Sequence, residues 1–206
     1  MLVDSRAAIT GCIRHALTET GHAVPPTEAL LACIGPPLAV AFAGLLGDEV
    51  ASPAVAACVA AYRERYATAS LVETTVVPGV PAALDALAAE HALAVATSKP
   101  LAFTEPLLAA LDLRARFAVV AGPDLAARAE DKAATIAAAL AALGSVHAVM
   151  VGDRSFDVVG ARAHGLATIG VTWGIGSRAE LEGAGAAALV DTPAALPDAV
   201  AALLAG

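Results

Sequence analysis

Aromatic residues are scarce in this chain. Phe, Trp and Tyr make up 3% of 206 residues, as four Phe, two Tyr and one Trp. Platforms on which a nucleobase could stack are few, which tilts the expected ligand toward a small, non-aromatic one. Cysteine is limited to Cys12, Cys33 and Cys58, an odd number, widely spaced and without a CxxC pair. That pattern argues against a disulfide scaffold or a zinc site and fits a reducing cytoplasm. Basic residues are outnumbered, 12 Lys and Arg against 20 Asp and Glu, for a formal charge of −8. Nucleic acid and anionic membrane, which need a basic face, are thereby set aside as main partners. The first residues, Met1-Leu2-Val3-Asp4-Ser5-Arg6, lack the apolar core of a signal peptide.

Charge is missing from two long stretches. Ala29–Gly47 carries none, and Ala133–Gly152 holds only His147. Each approaches the roughly 20 residues that span a bilayer. Gly35-Pro36-Pro37 interrupts the first and Gly144-Ser145 the second, so neither reads as a membrane span. What the chain has in abundance is alanine, 56 residues. The mean hydropathy of +0.73 therefore reflects small side chains rather than greasy ones.

The first third has a helical texture. A helix is expected from Ser5 to Thr20, short helices flank Gly35-Pro36-Pro37, and another runs from Pro53 to Ala69. From Pro78 onward, helices alternate with short apolar strands. The expected strands are Leu93–Ala96, Phe117–Val120, His147–Val151, Ala167–Val171 and Ala187–Val190. The expected helices are Val80–Glu90, one opened by Pro100, Lys132–Leu143, Phe156–His164 and Pro193–Leu204. This alternation implies a parallel sheet with helices on both faces. Ligands of such sheets bind at the carboxyl ends of the strands.

Three strand-end features carry chemistry. Thr97-Ser98-Lys99-Pro100 puts hydroxyls at a strand tip ahead of a helix N-terminus, a setting for phosphate that an ordinary helix cap would also produce. Gly152-Asp153-Arg154-Ser155-Phe156-Asp157 turns tightly off a strand and spaces two carboxylates four residues apart. Asp153 and Asp157 on one side would converge on a hard cation such as Mg²⁺; the alternative is one capping and one solvated Asp. Lys132, at the start of the preceding helix, could neutralise a phosphoryl group, although the neighbouring Glu130 and Asp131 could equally pair with it. Gly174-Ile175-Gly176-Ser177-Arg178-Ala179 matches G-x-G-x-x-A, but it comes late in the sheet without an acid some 20 residues on, so it reads as a loop near the active-site mouth.

Together these segments resemble the haloacid dehalogenase (HAD) superfamily, in its phosphoglycolate phosphatase-like branch with a helical cap. Leu2-Val3-Asp4-Ser5 is similar to the end of the family's first motif, Asp-x-Asp-Gly-Thr-Leu-Val-Asp-Ser. Ile34-Gly35-Pro36-Pro37-Leu38 resembles a cap segment, and Val77-Pro78-Gly79-Val80 the return to the core. Thr97-Ser98-Lys99-Pro100 resembles the second motif, Lys132 the third, and Gly152-Asp153 through Asp157 the fourth. Gly170-Val171-Thr172-Trp173-Gly174 also reads like this branch.

The resemblance implies an α/β fold, a HAD-like Rossmannoid three-layer α/β/α parallel sheet, with residues 1–5 and 76–206 as core and 6–75 as an inserted α-helical cap. It implies a cytoplasmic, Mg²⁺-dependent phosphatase of a small phosphorylated metabolite. An aspartyl-phosphate would form on the first Asp of Asp-x-Asp, with the second as general acid and base. Asp153 and Asp157 are the implied metal residues; Thr97, Ser98 and Lys132 would hold phosphoryl oxygens, with Thr97 and Lys132 counted as catalytic. The cap residues Arg6, Arg14, His15, His22, Arg63 and Arg65 could meet an anionic leaving group or could simply be solvated. A 5′-nucleotidase-type phosphatase is an alternative, whereas a dehalogenase proper needs no metal.

Residues 1–206 contain no Asp-x-Asp. The nucleophile, the general acid and the central first strand of the family pattern are thus absent from this sequence. Loss of that strand would remove roughly ten ladder hydrogen bonds at about 1 kcal/mol each, comparable with a whole domain's stability of about 5–15 kcal/mol. The expectation is a misassigned start with the strand lying upstream. A non-catalytic phosphate- or partner-binding protein and a fragment are the alternatives.

Overall fold

The computed structural model describes residues 1–125, 131–144 and 147–205. Glu130 and Ser145, both used in the sequence reading, lie outside them. The chain divides into two compact units, Val3–Thr75 on one hand, and Met1–Leu2 with residues 76–206 on the other.

The first unit begins with a two-residue strand β1 (Val3–Asp4), which pairs with β2 (Thr75–Val76). Between them lie α1 (Arg6–Glu19), α2 (Thr27–Ala32), α3 (Leu38–Leu46) and α4 (Pro53–Val72). Helix α1 buries Ala8, Cys12, Ile13, Ala16 and Leu17, a stripe at helical spacing that packs on α4. Helix α4 answers with Val55, Cys58, Tyr62, Tyr66 and Ala69. It starts where Ser52 Oγ accepts from Val55 N at 3.2 Å, with Pro53 in its first turn. The rings of Tyr62 and Tyr66 stack at 5.1 Å, and Phe42 of α3 meets Tyr62 edge-on at 6.3 Å. Three of the seven aromatics thus form this unit's core.

The second unit alternates strand and helix. In order come α5 (Val80–Ala88), β3 (Ala94–Ala96), α6 (Leu101–Ala110), β4 (Val119–Ala121), α7 (Lys132–Leu143) and β5 (Val149–Gly152). Next are α8 (Ser155–Arg162), β6 (Ala167–Val171), α9 (Arg178–Ala184), β7 (Ala188–Val190) and α10 (Leu196–Leu204). The last helix starts later than Pro193. Pro197 has no N–H to offer the Pro193 carbonyl, so Pro193–Ala195 closes as a separate 3-10 turn and α10 restarts with Pro197 in its first turn. Helix α9 replaces what the sequence suggested was loop.

All strands of this unit run parallel, in two pieces. Strand β3 pairs with β4 from Ala94↔Val119 to Ala96↔Ala121. Strand β5 pairs with β6 from Val149↔Ala167 to Gly152↔Gly170, and β6 with β7 from Ile169↔Ala188 to Val171↔Val190. Among the described residues no ladder joins β3 to β5. Their burial reflects this: β6 is buried over Thr168–Val171, whereas Ala94–Ala96 and Val149–Val151 are half-buried. The parallel sheet is therefore present, but divided where the sequence reading lacked a central strand.

Side chains alternate between faces with period two. Ile169, Val171, Val149, Val151 and Val190 face one core, closed by Ala83 and Leu87 of α5 and Leu196 and Val200 of α10. The opposite face carries α7 on β3 and β4, and α8 on β5 and β6. There Gly170 lies under Leu181 of α9. Helices on both faces make the three layers. No helix among the described residues is long and apolar enough to cross a membrane.

Candidate functional site

The residues singled out in the sequence collect at the carboxyl ends of β3 and β5. Strand β5 ends at Gly152, and α8 starts at Ser155, so Asp153 and Arg154 form the whole connection. Gly152 is required by close approach: a Cβ there would sit 2.3 Å from Asp157 Cβ. With no side chain in the way, Asp157 folds back over the turn. Its Oδ2 accepts from Asp153 N and Arg154 N, both at 3.1 Å. Its Oδ1 pairs with Lys132 Nζ at 2.8 Å. Both groups are largely shielded, with side-chain exposures of 14% and 11%.

Lys132 lies across α8 to make this contact. A Cβ on Gly160 would come within 2.9 Å of Lys132 Cγ, so the glycine opens the groove for the lysine stem. Asp131 starts α7 by accepting from Ala133 N at 2.9 Å and Ala134 N at 3.2 Å. Lys132 Nζ also donates to the Ala96 carbonyl at the tip of β3, at 2.6 Å. One side chain thereby ties the two sheet pieces together. Two of its three N–H donors are used by protein, and the third has no partner among the described residues.

Thr97 continues the β3–β4 ladder through its N–H to the Ala121 carbonyl at 2.9 Å. Its Oγ1 accepts from Lys99 N at 3.0 Å, and its own O–H has no acceptor among the described residues. Ser98 beside it is exposed. At the N-terminus of α6, Leu101 N is held by the Pro123 carbonyl at 3.0 Å. The Thr97 and Ser98 hydroxyls stay at this tip, while Leu101 N, Phe103 N and Thr104 N of the first turn of α6 are already bonded.

Asp153 is 16% exposed at its side chain. Its Oδ2 accepts from Ile175 N at 2.9 Å, and its carbonyl accepts from Gly176 N at 3.1 Å. Oδ1 lies 3.8 Å from the Met1 nitrogen. The Met1 carbonyl accepts from Trp173 Nε1 at 3.0 Å, and that of Leu2 from Val77 N at 3.1 Å. The first residue is therefore pinned beside Asp153.

The sequence reading had Asp153 and Asp157 share a cation. In the structure Asp157 faces an ammonium and two backbone N–H groups, which help to hold its carboxylate in place. Asp153 Oδ1, which has the Met1 nitrogen at 3.8 Å, is the oxygen of the pair that could also face a metal. Among the described residues no group of three or more His, Cys, Asp or Glu gathers. One carboxylate is nonetheless compatible with Mg²⁺, which keeps several waters and takes further oxygens from a bound phosphate.

Of the cap residues proposed for substrate, Arg6 is bonded to Asp4 (Nε to Oδ1, 2.9 Å) and Arg65 to Glu73 (3.2 Å). Arg14 is exposed; His15, His22 and Arg63 are half-exposed. Arg154 and Glu180 were missed. The pair meets at 2.9 Å, and Glu180 also accepts from Ser155 N at 2.8 Å. The sequence held a usable signal in Ser177-x-x-Glu180, a helix-start pattern, and Ser177 Oγ does accept from Glu180 N at 3.1 Å.

A parallel α/β core thus gathers Lys132, Asp153, Asp157 and the hydroxyl residues Thr97 and Ser98 at the tips of its strands. Residues 1–171 match the family of haloacid dehalogenase-like hydrolases. A 5′-nucleotidase of Pseudomonas aeruginosa is 36% identical over 183 residues, 87% of this chain and 82% of its own length. A phosphoglycolate phosphatase of Rhodospirillum rubrum is 33% identical over 207 residues, 96% of this chain and 86% of its own. The crystal structure of a predicted phosphatase from Clostridium acetobutylicum superposes with a TM-score of 0.88 at 31% identity, covering 98% of this chain and 94% of that one. The chain belongs to the haloacid dehalogenase-like hydrolases, in the phosphoglycolate phosphatase-like branch. It is thus a member of an enzyme family, with phosphatases among its relatives.

Proposed function

We propose that this site serves the Mg²⁺-dependent hydrolysis of a small phosphate monoester. The observation that carries this reading is Lys132, held at the strand tips between the Ala96 carbonyl and Asp157, with its third N–H donor without a partner among the described residues. In this reading Lys132, Thr97 and Ser98 hold phosphoryl oxygens and cancel part of their charge. Asp153 holds the cation, which supplies positive charge against an anionic substrate under attack. Asp157 keeps Lys132 aimed and the β5–α8 turn closed.

A small, non-aromatic ester fits the aromatics. Tyr62 and Tyr66 are buried in the first unit, Trp173 donates to the Met1 carbonyl, and only Phe156 is largely exposed, at 57%. The names of relatives point to phosphoglycolate and to nucleoside monophosphates as the two esters to compare. A cytoplasmic setting belongs to this reading, on the three widely spaced cysteines.

The route through an aspartyl-phosphate, implied by the resemblance, needs the Asp-x-Asp pair that residues 1–206 do not contain. The test supplies it. Because Met1 lies beside Asp153, an apolar strand ending in Asp-x-Asp-Gly, fused ahead of Met1, delivers the pair into the site. The extended protein should release phosphate from phosphoglycolate with Mg²⁺ and lose that release on EDTA addition or on Lys132→Met. A folded extended protein that releases no phosphate from either ester, or does so regardless of Lys132, would falsify the reading.

A further inference from the structure

The segment that resembled a dinucleotide loop has a different task. Gly174–Gly176 wraps Asp153 closely enough that side chains are excluded. A Cβ on Gly174 would lie 2.2 Å from Asp153 Cβ, and one on Gly176 would lie 2.1 Å from the Asp153 carbonyl oxygen. The loop then leads into α9, whose first turn carries Glu180 back to the same turn. Four bonds result: Ile175 N to Asp153 Oδ2, Gly176 N to the Asp153 carbonyl, and Ser155 N and Arg154 Nε to Glu180 Oε1.

Asp157 grips the turn from the other side. The backbone N–H groups of residues 153, 154 and 155 therefore all have carboxylate acceptors, two on Asp157 and one on Glu180. At most helix N-termini such amides would be open to an anion. Here the protein's own carboxylates take those three amides ahead of and at the start of α8, which leaves Lys132 and the hydroxyls of the β3 tip as the donors the proposed function gives to an anion. The same carboxylates fix the backbone on both sides of Asp153. With Oδ2 tied to Ile175 N, the orientation of Oδ1 follows from how firmly loop and turn are locked together.

We propose that Glu180 is a positioning residue for Asp153, locking the β5–α8 turn to the Gly174–Gly176 loop so that Asp153 presents Oδ1 to the cation. The assignment rests on the cation role given to Asp153 above. Glu180 touches neither substrate nor metal; it acts through Ser155, Arg154 and the loop.

Glu180→Ala, Glu180→Gln and the unaltered chain would be compared in three measurements: amide hydrogen exchange resolved by NMR, Mn²⁺ affinity by EPR, and thermal melting. In Glu180→Ala, the Ile175 and Gly176 amides, which never contact Glu180, should exchange about tenfold faster, as for loss of a charge-assisted anchor. Mn²⁺ should bind about tenfold more weakly, as for loss of an outer-shell partner. Glu180→Gln keeps an oxygen for Ser155 N and should recover most of the protection and part of the affinity. Unchanged exchange at Ile175 and Gly176 in Glu180→Ala overturns the proposal, as does equal Mn²⁺ affinity in all three proteins. Faster exchange with no Mn²⁺ binding by the unaltered chain supports the lock and overturns the cation reading. If Glu180→Ala does not fold, the Glu180→Gln comparison decides: unchanged exchange and affinity there overturn the proposal, and intermediate values support it.

Discussion

Removing the Asp157 carboxylate should destabilise the protein more than any surface substitution, and the cost should depend on Lys132. In Asp157→Ala, Lys132 keeps only the Ala96 carbonyl, and the N–H groups of Asp153 and Arg154 lose their acceptor. Breaking a buried ion pair from one side costs about 3–5 kcal/mol, because the remaining charge is left uncompensated. For a chain of this size that corresponds to a fall in Tm of roughly 6–20 °C. Lys132→Met should cost less, about 1–3 kcal/mol, since Asp157 retains both backbone donors. In the double variant no orphaned ammonium remains. The two losses should then fall short of adding, with a coupling of about 1–3 kcal/mol. Urea unfolding followed by circular dichroism on the four proteins measures each term. Losses that add to within about 0.5 kcal/mol would refute the reasoning, because independent sites behave that way.

Two further outcomes follow from features described above. Gly152→Ala would drive a Cβ into Asp157 at 2.3 Å; it should lower stability by about 1–3 kcal/mol or more, as overpacking does, and loosen Lys132 with it, read as loss of the coupling in the same cycle. Burial holds the Tyr66 phenol up at about 12, against an ordinary value of 10.0, and pushes Tyr62 higher still. The neutral phenols thus contribute stability that is complete below pH 10 and lost as pH rises through about 12; absorbance near 295 nm should show no phenolate at pH 10–11 until urea unfolds the chain, and early phenolate in the folded protein would count against a buried tyrosine pair.

Element type was legible wherever local chemistry and burial agreed. Helix α7 and strand β6 lie where the sequence placed them, the first between Asp131 as cap and Gly144 as stop, the second as a continuous apolar run. The start of α10 was misplaced because Pro193 looks like a helix opener, and only Pro197 four residues on forbids it. Helix α9 was hidden by the glycines ahead of it: Gly174 and Gly176 suggested loop, and the Ser177-x-x-Glu180 start was overlooked. At the site, spacing along one helix brought Asp153 and Asp157 together on paper. It could not show that Asp157 would turn inward to cap its own turn, since that depends on Gly152 leaving space and on a lysine arriving from another helix. Tertiary contacts such as Glu180 to Ser155, 25 residues apart, have no periodic signature at all.

The reach of Lys132 carries a mechanical consequence. Its ammonium is 2.6 Å from the carbonyl that ends β3 and 2.8 Å from the carboxylate that closes the turn after β5. Among the described residues no backbone ladder joins those strands, so the length of one lysine side chain gauges the spacing of the two tips. Arginine would preserve the charge yet change the gauge, because its planar fork is longer and cannot point one nitrogen at both targets. The separation between the groups assigned to phosphate and to metal is therefore encoded less in the sheet than in four methylenes lying across Gly160.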